Sequence, residues 1–280
     1  MKKYINKSVY DAAKERIEIL AELFDGNIYF AFSGGKDSTV LINLAREVLG
    51  SVNVFFMDLQ FITLDTVALV EYYQQQQWCK LTWFVPIGGY IPSDNDNYSK
   101  LWVDNYYRTL PANYVELPTK KNDLDANRVF KISLTLLTDT RPVCSLGGVC
   151  ADESLNRYAA FRYRDFHYLF QDKKEFYHAY PIYDWSIQDI WKYIKSNNCA
   201  YSEIYNRMTT FGIKAHEQRV CNLTSVYAKT KKQKMLPFFE SNYTYLNDIL
   251  GINNKGAVTP ITERATKFAV KTYSKAWLPR

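Results

Sequence analysis

Short apolar runs alternate with longer stretches of helical period along the first two thirds of the chain. Ser8 to Phe24 predicts an amphipathic helix: Ser8 with Asp11 three residues on makes a capping-box start, and Ala12, Ile17, Ile19, Leu20 and Leu23 supply an apolar face. Ile28-Tyr29-Phe30-Ala31-Phe32 reads as a buried strand. A helical pattern through Val40 and Ala45 follows, running to about Leu49 and closed by Gly50. Val52 to Met57 reads as a second buried strand ending at Asp58, followed by a helix from about Leu64 to Lys80 and a strand at Leu81 to Pro86. Strand, loop, helix and strand in this order predict a βαβ unit with a right-handed crossover, hence an α/β fold on a mainly parallel sheet.

Beyond Pro86 the period breaks. Gly88-Gly89, Pro92, Ser93 to Asn97 and Pro111 mark loops, with Trp102, Tyr106 and Tyr107 among them. A stretch this long, about 88–127, is expected to be a lid or substrate-facing insertion, with a surface excursion as the alternative. Cys144 to Gly148 is apolar and delivers Asp152, Glu153 and Ser154 to the start of a helix carrying Arg157, Phe161 and Arg164. There the acidic residues suit a helix N-terminus, and Arg157 stands four residues after Glu153, at pairing distance. Phe176 to Ile194 predicts a strand and then a helix capped by Ser186, with Ile187, Ile190, Trp191 and Ile194 on one face. From about Tyr227 the tail reads as a helical appendage in which Lys229, Lys231, Lys232 and Lys234 form a solvated face rather than a nucleic-acid patch. The expected division is a nucleotide-binding domain over 1–200 and a mainly helical extension over 201–280.

Composition narrows the classes. At 280 residues, 47% hydrophobic and 23% charged, the chain can bury a proper core. It has no apolar run of membrane-spanning length and no signal-peptide core, so a cytoplasmic protein without membrane attachment is expected. Cysteines at 79, 144, 150, 199 and 221 are odd in number and contain no C-x-x-C pair, which argues against a disulfide framework and against a four-thiolate metal or iron–sulfur site. A net charge of +6 suits an anionic ligand without requiring nucleic acid. The three histidines, 167, 178 and 216, fall in no metal or triad spacing and are expected to be structural.

The stretch that carries chemistry is Phe30-Ala31-Phe32-Ser33-Gly34-Gly35-Lys36-Asp37-Ser38-Thr39, where a strand opens straight into a helix. Such a junction aims backbone N–H groups and the positive end of the helix dipole at one point, which suits a phosphate. Lys36 and the hydroxyls of Ser33 and Ser38 add donors. The spacing differs from G-x-x-x-x-G-K-[ST]. It is similar to the S-G-G-x-D-S loop of the ATP pyrophosphatase superfamily (PP-loop, adenine nucleotide alpha hydrolase-like).

Gly148-Val149-Cys150-Ala151-Asp152-Glu153-Ser154-Leu155-Asn156-Arg157 resembles the G-[IVL]-R-x-[DE]-E-S-x-x-R element of the PAPS-reductase-like family in that superfamily, with Cys150 at the arginine position. Tyr180-Pro181-Ile182-Tyr183-Asp184-Trp185-Ser186 and the following Asp189-Ile190-Trp191 resemble the strand and helix after that element. Tyr205-Asn206-Arg207-Met208 with Gln218-Arg219-Val220 and Trp102 look like an uncharacterised subgroup that includes immunoglobulin-binding regulator proteins. The resemblance implies a Rossmann-like three-layer fold and an ATP site acting at the α-phosphate with release of pyrophosphate. It assigns Ala31, Phe32, Ser33, Gly34, Gly35, Lys36, Asp37 and Ser38 to the phosphate loop, Met57, Asp58 and Leu59 to the nucleoside, and Gly147, Gly148 and Arg157 to the second phosphate element. Lys36, Asp37 and Arg157 carry the catalytic roles, with Asp37 as the Mg²⁺ contact, and Arg157, Arg141 or Arg162 left to supply the charge that Cys150 does not. The reductase cysteine of true PAPS reductases has no counterpart after Cys221, and no iron–sulfur cluster is expected. A ParB/sulfiredoxin-like protein is the partner the subgroup implies. A nucleotide-sensing or nucleic-acid-associated module without turnover is the alternative function.

Overall fold

The computed structural model describes residues 7–58, 62–87, 110–118, 126–172, 175–220, 237–239 and 241–244. A seven-stranded sheet of order β4-β3-β2-β1-β5-β7-β6 forms its centre. The strands are β1 (Ile28–Phe32), β2 (Val52–Met57), β3 (Cys79–Ile87), β4 (Val115–Pro118), β5 (Val143–Gly147), β6 (Leu169–Gln171) and β7 (Phe176–Ala179). All neighbours pair in parallel except β6, which runs antiparallel to β7 at the edge. The helices are α1 (Val9–Leu23), α2 (Lys36–Leu49), α3 (Leu64–Gln74), α4 (Ala126–Leu137), α5 (Leu155–Tyr163), α6 (Ile187–Ser196) and α7 (Ile204–Thr210).

The period of two along the strands sorts their side chains onto two cores. Ile28, Phe30 and Phe32 of β1 with Val52, Val54 and Phe56 of β2 face α1, α2, α3 and α6. Tyr29, Ala31, Phe55 and Met57 face the other way, toward Leu134 of α4. This is the expected Rossmann-like three-layer α/β arrangement. From β1 the chain steps outward through β2, β3 and β4, then returns beneath α4 to β5 on the opposite side of β1. The order therefore reverses between β1 and β5, and in sheets of this kind the crevice lies outside the carboxyl ends of the strands at such a reversal.

Some boundaries and faces differ from expectation. The third helix stops at Gln74 rather than Lys80: the glutamine run turns, and Cys79 N–H bonds Gln76 O at 2.9 Å as β3 begins. Residues 110–118, with strand β4, and the start of α4 lie within 88–127, while 88–109, with Trp102, and 119–125 are outside the described residues. On α1 the Ser8 cap forms as expected, but Ile19 and Leu23 are exposed while Ala13 and Arg16 are buried, because the packed face follows the i, i+3, i+4, i+7 row through 13, 16, 17 and 20. Arg16 grips both carboxylate oxygens of Asp184 at 2.9 Å and donates to Pro181 O at 2.7 Å, so α1 holds the chain between β7 and α6. No helix among the described residues is long and apolar enough to cross a membrane.

Candidate functional site

The Ser33–Ser38 loop lies at the carboxyl end of β1, directly against the end of β5, where Ala31 pairs with Gly147. Gly34 turns with φ +71°, and a Cβ there would come within 2.5 Å of the Thr66 methyl on α3, so the sharp turn needs glycine on both counts. Ser33 N–H donates to Ser38 Oγ at 3.2 Å, the two hydroxyls meet at 3.1 Å, and Ser38 Oγ lies 3.0 Å from Gly35 O. These bonds lock the loop onto the first turn of α2, whose residues from Lys36 to Ile42 are all buried.

The second element closes from β5. Gly148 presses on the first turn of α2: a Cβ there would lie 2.6 Å from Ser38 N and 2.7 Å from Asp37 C. Ala151–Glu153 forms a single 3₁₀ turn, and Ser154 then caps α5 by accepting from Arg157 N–H. This brings Glu153 into the crevice. Lys36 Nζ lies 2.7 Å from Asp37 Oδ2 and 3.9 Å from Glu153 Oε1, Arg157 pairs with Glu153, and Arg219 donates to the Glu153 carbonyl. Lys36, at 3% exposure, is almost wholly out of solvent. Burial, and then the charge of Arg219, pull the Arg157 guanidinium below its ordinary range; a bound anion would relieve that repulsion. Lys36 and Arg157 thus meet the carboxylates of Asp37 and Glu153, with Arg219 beside them on the Glu153 carbonyl.

Cys150 is buried, its thiol 3.3 Å from Ile182 O and 3.8 Å from Asp37 Oδ1. Burial first, and the Asp37 charge next, push that thiol well above its usual range, so it stays protonated and neutral where the family pattern has a cation. Of the arginines named as substitutes, Arg157 is at the site. Arg141 is not: it precedes β5, bonds Thr138 O and Thr140 O at 2.7 Å, and stacks on Phe176 at the opposite end of the sheet. Arg162 is exposed on the last turn of α5. The cation found beside Glu153 instead is Arg219, in the segment after α7, whose neighbour Val220 passes over Gly35. Its position in the Gln218-Arg219-Val220 string was visible in the sequence, but nothing local marked it as a site cation.

On the β2 side, Met57 faces α4, where Ser133 Oγ approaches its sulfur at 3.7 Å. Asp58 is fully buried and receives the Trp83 indole N–H at 2.9 Å, while its own N–H donates to Phe84 O. It is therefore neither a solvated carboxylate nor a helix cap, and it fixes the strand end rather than presenting a charge to the crevice. Leu59 lies outside the described residues, as do Cys221 and the lysine-rich tail. His178 meets Ser145 Oγ at 2.6 Å between β7 and β5. Among the described residues no group of three or more His, Cys, Asp or Glu side chains converges to hold a metal.

Comparison with known proteins places the chain in a family. A family model described as "Phosphoadenosine phosphosulfate reductase domain" matches residues 27–212, from just before β1 to just beyond α7. "Uncharacterized protein YbdN" of Escherichia coli K12 is 23% identical over 239 residues, which are 76% of this chain and 58% of that relative, so the chain spans little more than half of the relative's length. Phosphoadenylyl-sulfate reductase from Candida auris, solved as a phosphate complex, overlaps with a TM-score of 0.46 at 16% identity, covering 72% of this chain and 88% of the other. FMN adenylyltransferase from Candida glabrata, solved with FAD and inorganic pyrophosphate, overlaps with a TM-score of 0.47 at 15% identity, covering 70% and 58%.

Proposed function

The chain belongs to the phosphoadenosine phosphosulfate reductase domain family, and we propose that it binds ATP or a close adenine nucleotide on the Ser33–Ser38 loop and acts at the α-phosphate. The observation that carries this reading is the meeting of two Gly-Gly turns at the switch point, with Lys36, Arg157 and Arg219 gathered about Asp37 and Glu153. The loop and the α2 N-terminus hold the β- and γ-phosphates. Lys36 and the two arginines balance the charge that grows on the bridging oxygen as an acceptor attacks the α-phosphorus in line and pyrophosphate leaves. Water as the acceptor gives AMP; a protein or nucleic-acid group gives an adenylylated product.

Asp37 suits a magnesium contact, because its Oδ1 is met by the weakly donating Cys150 thiol while Lys36 holds Oδ2. Bound with the nucleotide, the ion would offset charge on the phosphate oxygens. A ParB/sulfiredoxin-like partner, as in the subgroup with immunoglobulin-binding regulators, belongs to the same proposal as a candidate acceptor or co-regulator.

A second reading is favoured by Cys150. A neutral, buried thiol in place of a cation weakens stabilisation of a departing pyrophosphate and suits a module that senses ATP without turning it over. The test is to incubate the protein with ATP labelled at the α-phosphate and Mg²⁺, alone and with cell extract. Formation of AMP or an AMP-carrying product, abolished by Lys36→Ala in a folded variant, supports the enzyme. Binding without cleavage in either mixture supports the sensor, and no binding at all refutes both.

A further inference from the structure

The amide that begins α2 is already occupied. Lys36 N–H donates to the Tyr205 hydroxyl at 2.8 Å, and that oxygen would lie 3.5 Å from a Cβ on Gly35. Tyr205 comes from α7, far along the chain, is 2% exposed, and sets its ring edge-on to Trp191 of α6 with centroids 5.3 Å apart. The first N–H groups of a helix have no partner within it and take one from solvent, a cap or a ligand. Here a neutral oxygen from another element sits where a phosphate oxygen on the loop would accept the same hydrogen. Two acceptors cannot share that N–H at such a distance. An anionic phosphate oxygen makes a hydrogen bond roughly twice as strong as a hydroxyl does, so it wins the exchange.

Displacing Tyr205 also has somewhere to be felt. Two residues on, Arg207 Nε lies 3.2 Å from Asp65 Oδ2, and the same carboxylate accepts from the Tyr243 hydroxyl at 2.5 Å. Asp65 stands in the first turn of α3, beside the Thr66 whose methyl rests on Gly34. Helix α7, with Tyr205 on one face and Arg207 on another, is thus linked as a body through one buried carboxylate to residues 237–239 and 241–244, where Phe238 and Phe239 pack with Tyr243.

We propose that Tyr205 is a reversible plug of the phosphate loop: nucleotide phosphate displaces its hydroxyl from Lys36 N–H, and the displacement shifts α7 and the C-terminal segment docked on Asp65. This inference rests on the nucleotide reading above and assigns its regulation to α7.

Tyr205→Phe keeps the ring against Trp191 and removes only the competing acceptor. Calorimetry with ATP and with pyrophosphate, at fixed Mg²⁺ on the full chain, is expected to show the variant binding about threefold to tenfold tighter than wild type, the worth of one displaced neutral hydrogen bond. Amide exchange along Ile204–Thr210 is expected to rise when ATP is added to wild type and to stay level in the variant. Wild-type binding that Tyr205→Phe leaves equal or weakens overturns the plug alone and leaves the nucleotide site standing, as does wild-type α7 exchange that ATP does not change. Absence of binding by both proteins overturns the nucleotide reading and the plug with it.

Discussion

Two strand-to-helix junctions meet at the switch point, both through a Gly-Gly turn, and they are held by different physics. Helix α2 buries Lys36 through Ile42, Leu44 and Ala45; α5 buries Phe161, while Leu155 and Tyr163 stand 86% and 90% exposed. The first junction is placed by the core, so its amides and hydroxyls keep their geometry whether or not a ligand is present. The second is placed by the Ser154 cap, by Gly148 against α2, and by Arg157 and Arg219 on Glu153. Hydrogen-bond donors are thus preorganised on one side, and compensating charge is gathered on the other by contacts that an anion can rearrange.

The strongest way to break this pairing is Gly148→Ala. Its Cβ would meet backbone atoms of Asp37 and Ser38 that cannot step aside, so a loss of about 3 kcal/mol or more in denaturant unfolding is expected, with nucleotide binding lost as well. Gly147→Ala meets the edge of the Tyr180 ring at 3.0 Å, which can shift, and a cost of about 1 kcal/mol is expected; equal costs at the two glycines would show that the junctions do not lean on each other. Next comes charge. Arg219→Ala should weaken ATP binding about tenfold, worth ~1.4 kcal/mol, while leaving the unfolding midpoint nearly unchanged, and unaltered affinity in calorimetry would remove Arg219 from the site.

The β5 side also carries a pH response. Burial holds the His178 imidazole below its ordinary 6.5, so the folded state binds fewer protons than the unfolded chain. Its stabilising contribution is present above 6.5 and is lost as pH falls through the folded value. Going from pH 7.5 to about 5 should cost wild type more stability than it costs His178→Gln, measured by urea unfolding. The smallest expected effect sharpens the contrast: Leu155→Ser on the exposed face of α5 should change stability by no more than about 0.5 kcal/mol, whereas Leu41→Ser on α2 should unfold the domain.

Much of this was legible locally. The apolar runs at 28–32 and 52–57 are strands with those bounds, Gly50 closes α2, and Ser186 and Asp189 form the capping box ahead of α6. Each depends on neighbours within a turn or two, where sequence pattern is the physical cause. Lys36, Asp37, Gly147, Gly148 and Arg157, which the resemblance assigns to one site, lie near one another at the ends of β1 and β5. The misses share another cause. Arg16 with Asp184, Asp58 with Trp83, Tyr205 with Lys36 and Arg219 with Glu153 join residues far apart in the chain, and a polar side chain's partner across such a distance leaves no periodic trace.

By itself, then, the sequence determined the strands and helices of the first βαβ units, the capped helix after Ser186 and the glycine turn of one loop, because hydrophobic period, capping residues and glycine turns act over a few residues. Only the tertiary structure decided which of the chain's arginines faces the loop, that Asp58 is withdrawn from the crevice, and that a tyrosine from α7 rests on the first amide of α2. Those outcomes follow from how the sheet brings distant segments into one crevice, where burial and charge are set by neighbours that lie far off along the chain.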